Sequence, residues 1–89
     1  MDFDDRELAF AVIKEKINDW IIFSKEEVEA IKEADSVDDF MDDFEKANLL
    51  FDLETEFGIF NKLKKDVCFT WHKFSNIINS YTDLKKLAE

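Results

Sequence analysis

A chain of 89 residues with no proline and a single glycine, Gly58, has almost none of the turn chemistry that β-hairpins and sandwiches need every few residues. Helices remain as the way to satisfy its backbone, and its apolar residues recur at helical steps. Asp4 or Asp5 can cap a first helix in which Phe10, Ile13, Ile17, Trp20 and Ile21 return every three or four residues, ending near Phe23. Ser24 and Glu27 form a capping-box pattern that opens a short helical segment, with Val28 and Ile31 on one face. The best-defined periodicity follows. Val37, Phe40, Phe44, Ala47 and Phe51, widened by Leu50, Leu53 and Phe57, predict one helix from Val37 to Phe57 with Ser36 or Asp35 as N-cap. Gly58 reads as its left-handed stop, with Ile59 folding back on the last turn. After a basic connector from Lys62 to Lys65, Thr70 is expected to cap a helix whose Trp71, Phe74, Ile77, Ile78 and Tyr81 face the core. Thr82 is expected to restart a frayed turn around Leu84 and Leu87. The predicted fold is all-α: a single domain over residues 1–89, built as a small three-to-four-helix bundle.

A chain this short buries one modest core, so much of its stability is expected from ten Phe, two Trp and one Tyr. The single Cys68 cannot form an internal disulfide, whereas small secreted domains are usually rich in them, which predicts a reducing, cytoplasmic setting. The apolar stretch Leu8 to Ile13 follows Asp2, Asp4, Asp5 and Glu7, the wrong sign for a signal peptide, and no run reaches membrane-spanning length. No membrane association is expected.

The net charge is −10 and unevenly spread. Residues 1–57 hold 19 acids and 6 bases, a net −13, and residues 58–89 hold 3 acids and 6 bases, a net +3. Direct contact with phosphate backbones is disfavoured, because those contacts rely on Lys and Arg; a basic protein surface suits the charge. Between Glu33 and Glu45 stand seven acids and no base. On one long helix, Asp35, Asp38, Asp39, Asp42 and Glu45 would form a ridge opposite Phe40, Phe44 and Phe51. With Asp43 these are the candidate partner-binding residues, the plainer reading being a solvated face. No metal is expected: an EF-hand loop starting at Asp35 would put Val37 at a ligand position and Phe40 where glycine is required, and Cys68 with His72 supplies only two ligands. Asp52, Glu54 and Glu56 read as a surface edge. No paired nucleophile or glycine-rich phosphate loop assembles a catalytic constellation.

The segment Leu53-Glu54-Thr55-Glu56-Phe57-Gly58-Ile59 resembles the end of the second helix of acyl carrier proteins. Glu26-Glu27-Val28 is similar to the start of that family's long first loop, Val37-Asp38-Asp39-Phe40 to its Val-Glu-Asp-Leu segment, and Phe69-Thr70-Trp71 to the start of its last helix. The resemblance thus spans nearly the whole chain and implies an acyl-carrier-like bundle that docks on basic enzyme surfaces through its second helix. The family attaches phosphopantetheine to the serine of an Asp-Ser-Leu motif fourteen residues before the Phe of Phe-Gly-Ile. Here that position is Asp43, within Asp42-Asp43-Phe44, so the resemblance implies a member without the attachment hydroxyl and without a cofactor. Ala34-Asp35-Ser36-Val37 locally resembles the motif but lies seven residues too early, and Ser36 also reads as a helix N-cap.

Three functions follow in order. The first is a non-enzymatic acyl-carrier-like module docking a basic protein surface. The second is an immunity protein, antitoxin or phage-type inhibitor that blocks a nuclease or mimics nucleic acid. The third is a genuine acyl carrier modified at Ser36. Exposed Phe or Trp side chains would equally serve as a homodimer seam.

Overall fold

The computed structural model describes residues 5–20, 23–60 and 63–89; an Asp4 cap, an inward Ile21 and the Lys62 start of the basic connector lie outside them. Four α-helices are present: α1 (Asp5–Asn18), α2 (Lys25–Glu29), α3 (Asp43–Phe57) and α4 (Phe74–Ala88). Two 3-10 helices, Val37–Asp39 and Lys65–Thr70, complete the set, and among the described residues there is no strand beyond one isolated bridge. The fold is a small all-α bundle in which α4 packs against α1 and α3.

α1 buries Ala9, Ile13 and Ile17, a stripe at steps of four. It stops at Asn18, earlier than the expected Phe23. Asn18 and Asp19 are weak helix formers, and Asp19 sits at the negative end of the dipole. The chain tightens there, Trp20 N donating to Ile17 O at 3.1 Å. α2 opens as predicted: Ser24 Oγ accepts from Glu27 N at 3.1 Å, and Ser24 N donates to Glu27 Oε1 at 3.0 Å. Val28 and Ile31 are both buried, Ile31 from just beyond the helix end.

The continuous helix from Val37 to Phe57 does not form. Val37–Asp39 is a 3-10 turn, Phe40 and Met41 leave it, and a new helix starts at Asp43 with Asp42 as N-cap. The cause is a second capping box, in which Asp42 Oδ1 accepts from Glu45 N at 2.8 Å and Glu45 Oε1 accepts from Asp42 N at 3.0 Å. Side-chain oxygens thus satisfy backbone donors that helix continuation would otherwise claim. Neither expected cap serves α3: Ser36 precedes the 3-10 turn and makes no side-chain cap bond, and Asp35 binds its own loop.

The break also sets the phase of α3. Its buried residues are Lys46, Leu49, Leu50, Leu53 and Glu54, while Phe44, Ala47 and Phe51, expected in the core, are exposed. The core is correspondingly less aromatic than the composition implies. Of the nine described Phe residues only Phe74 is buried, alongside Trp71, Tyr81 and the aliphatic residues of α1, α3 and α4.

α3 ends where expected. Gly58 adopts φ 66°, its N–H donates to Thr55 O at 3.1 Å, and Ile59 N donates to Glu54 O at 3.2 Å. A Cβ built on Gly58 would meet nothing within 4 Å, so Gly58→Ala tests backbone strain alone. It should cost about 1 kcal/mol in urea unfolding.

The last helix starts three residues later than predicted. Thr70 donates to Val67 O at 2.6 Å within the preceding 3-10 helix and caps nothing. The cap is made by Asn76, whose Oδ1 accepts from His72 N at 3.1 Å and Lys73 N at 2.9 Å. Trp71, Phe74, Ile77, Ile78 and Tyr81 are buried as predicted, with Trp71 Nε1 donating to Ser80 Oγ at 2.9 Å. α4 runs unbroken to Ala88, and Thr82 bonds back to Asn79 O instead of restarting a turn.

A backbone strap joins the two halves. Val37 N donates to His72 O at 2.9 Å, Phe74 N to Asp35 O at 3.2 Å and Ser75 N to Glu33 O at 3.0 Å, around the Ser36–Lys73 bridge. This antiparallel pairing fixes the loop that leads into α3.

Candidate docking surface

The acidic residues from Asp35 to Glu45 occupy three structural settings. Asp35 is half-buried, and its Oδ2 accepts from Lys32 N at 2.8 Å, so it shapes the loop and does not face outward. Glu45 is half-buried and engaged in the capping box. Asp38, Asp39, Asp42 and Asp43 are exposed, the first two on the 3-10 turn and the others at the head of α3. The one straight ridge expected from a continuous helix is therefore an acidic corner where two helical segments meet.

Lys46 organises this corner from beneath. Its side chain is only 3% exposed, and its ammonium lies 2.6 Å from Asp38 Oδ1 and 3.8 Å from Asp43 Oδ1. The same cation thus pins the 3-10 turn to the first turn of α3. Because Lys46 points inward, α3 presents no exposed basic residue. Its ammonium hydrogen-bonds and attracts the Asp38 carboxylate, holding Asp38 below its ordinary value of 3.8. A depressed carboxylate pKa means that the interaction is fully present above the unfolded value and lost as pH falls through the folded one. The Asp38 carboxyl resonance should therefore titrate below pH 3.8 in the native protein, and Lys46→Met should return it toward that value.

A second buried charge lies on α3. Glu54, expected on a surface edge with Asp52 and Glu56, is 0% exposed, and its Oε1 accepts from Lys65 Nζ at 3.0 Å. This pair ties the Lys65–Thr70 3-10 helix to α3. Glu56 is exposed and pairs with Lys16 of α1 at 3.1 Å. Cys68 is buried, its Sγ directed to Lys65 O at 3.3 Å, and burial pushes its thiol up. His72, four residues on, is exposed. Among the described residues no group of three or more His, Cys, Asp or Glu is placed to hold a metal ion.

The outward face of α3 carries residues that the periodicity assigns to the core. Phe44, Ala47, Asn48, Phe51 and Thr55 are all exposed and follow one side of the helix. Phe44 is 74% and Phe51 56% exposed, and the Phe51 ring meets that of Phe60, itself exposed, in a tilted contact with centroids 5.8 Å apart. The signal that locates this face in the sequence is Asp42-x-x-Glu45, which starts the helix anew and moves Phe44 out of phase with Phe40. Ser36, the alternative attachment residue, is half-buried and pairs through its backbone with Lys73, seven residues before the start of α3.

No protein family, curated protein or solved structure matches this chain. Among the described residues, no helix is long and apolar enough to cross a membrane. Fold and surface therefore define a small all-α bundle with an acidic corner and an aromatic outer face on its third α-helix.

Proposed function

We propose that this chain is a non-enzymatic docking module, acyl-carrier-like in architecture but without a phosphopantetheine arm, that binds a basic protein surface in the cytoplasm. The observation that carries this reading is the position of Asp43. It is the first residue of α3, its side chain is 78% exposed, and exposed Asp38, Asp39 and Asp42 precede it. A serine at such a helix head would offer a hydroxyl for modification, whereas a carboxylate offers fixed charge, which the helix dipole favours there. Four exposed carboxylates at one corner of a chain of net charge −10 steer and orient a cationic partner.

The test is partner capture by the purified chain and by a variant carrying Asp39→Lys and Asp43→Asn, both outside the capping box. The variant should keep its helical circular dichroism and lose the partner, and capture by the parent should weaken with salt. Retention of the same partner by the variant overturns the reading. After co-expression with a phosphopantetheinyl transferase the intact mass should be unchanged; a mass gain on Ser36 would make the chain a true carrier. A captured basic nuclease that loses activity would assign the module to inhibition.

A further inference from the structure

We propose that the outer face of α3, built on Phe44, Ala47 and Phe51 and extended by Phe60, receives an amphipathic helix of a partner protein whose apolar stripe is bordered by Lys or Arg. This rests on the docking-module reading and names the element that the module receives. Phe44 and Phe51 are seven residues apart, two helical turns, with the small Ala47 between them. Two aromatic ridges separated by a low point accept the side chains of a helix laid along α3. The Phe51–Phe60 ring contact fixes the second ridge from outside the helix.

Charge selects the occupant. Asn48 and Thr55 keep the middle of the face uncharged, Glu45 and Asp52 border one side, and Asp43 stands at its head. The only cation of α3, Lys46, is turned into the protein. A second copy of the chain would bring the same carboxylates against these in an antiparallel pairing, and each copy carries −10. An anionic lipid surface is repelled for the same reason. A basic-edged helix matches both the apolar strip and its border.

The probe is a synthetic peptide of about 18 residues, five helical turns, with a leucine stripe flanked by lysines, compared with the same peptide bearing glutamates. Titrated into isotopically labelled protein, the lysine peptide should shift the amides of Phe44, Ala47, Asn48, Phe51 and Phe60, and the glutamate peptide should not. Phe44→Ser and Phe51→Ser, made separately at exposed positions, should each weaken binding about tenfold or more while helical content is kept. Unchanged affinity in both variants, or shifts confined to other parts of the protein, overturns the proposal. Sedimentation showing a dimer of the free protein that Phe51→Ser dissociates also overturns it, in favour of a second copy. If Asp39→Lys with Asp43→Asn abolishes binding and the Phe variants do not, the acidic corner docks alone and this inference fails by itself. If only the Phe variants lose binding, the aromatic face stands and the carboxylate reading falls.

Discussion

Trp71→Ala should unfold at a much lower urea concentration than the parent, with a loss of about 3–5 kcal/mol. The indole is fully buried and bonded to Ser80 of α4, and its removal leaves both a large cavity and a Ser80 hydroxyl without its donor. Domains of this kind hold roughly 5–15 kcal/mol in all, so the variant should be near the edge of folding at room temperature. Phe44→Ala supplies the contrast. A periodic helix from Val37 would make it a comparable core truncation, but with Phe44 74% exposed it should change stability by no more than about 0.5 kcal/mol. Equal losses in the two variants would refute the phase of α3.

The second large effect is asymmetric. Lys65→Met removes the ammonium bonded to Glu54, whose side chain is 0% exposed, and should cost about 2–3 kcal/mol, because the carboxylate remains buried with that partner gone. The reciprocal change, Glu54→Met, removes the buried charge itself and leaves a lysine that is already 61% exposed to water. It should be nearly neutral or stabilising. Urea unfolding of the two single variants and the double variant measures the coupling directly. Matching losses in both singles would mean that packing, not charge, holds the second 3-10 helix to α3.

Features decided within a few residues were readable in the sequence. Gly58 stops α3 because one residue must take positive φ there, and Ser24 with Glu27 opens α2, since both depend on contacts three or four positions apart. The inward residues of α4 follow for the same reason: its stripe is long and regular. The head of α3 departs from the periodicity, although Asp42 and Glu45 carry the same capping signal as Ser24 and Glu27. The run of apolar residues passes smoothly across the break, so periodicity outweighed the cap. The break at Asp42 places Phe44, Ala47 and Phe51 at the surface and turns the ridge of carboxylates into a corner. Lys46 and Glu54 could not be placed by hydrophobic periodicity, which assigns charged residues to solvent; their burial depends on Asp38 and Lys65, eight and eleven positions away. The strap between residues 33–37 and 72–75 lies beyond any local pattern.

That strap orders events during synthesis. The loop carrying Asp38 and Asp39 is positioned by hydrogen bonds to His72, Phe74 and Ser75, which leave the ribosome after all of α3. A nascent chain that has released α3 alone can form the Asp42–Glu45 box, but its acidic corner lacks the anchor that sets it against the bundle. The geometry of that corner should therefore be completed late, when the C-terminal segment docks, so that finished protein and unfinished chain differ in the placement of Asp38 and Asp39.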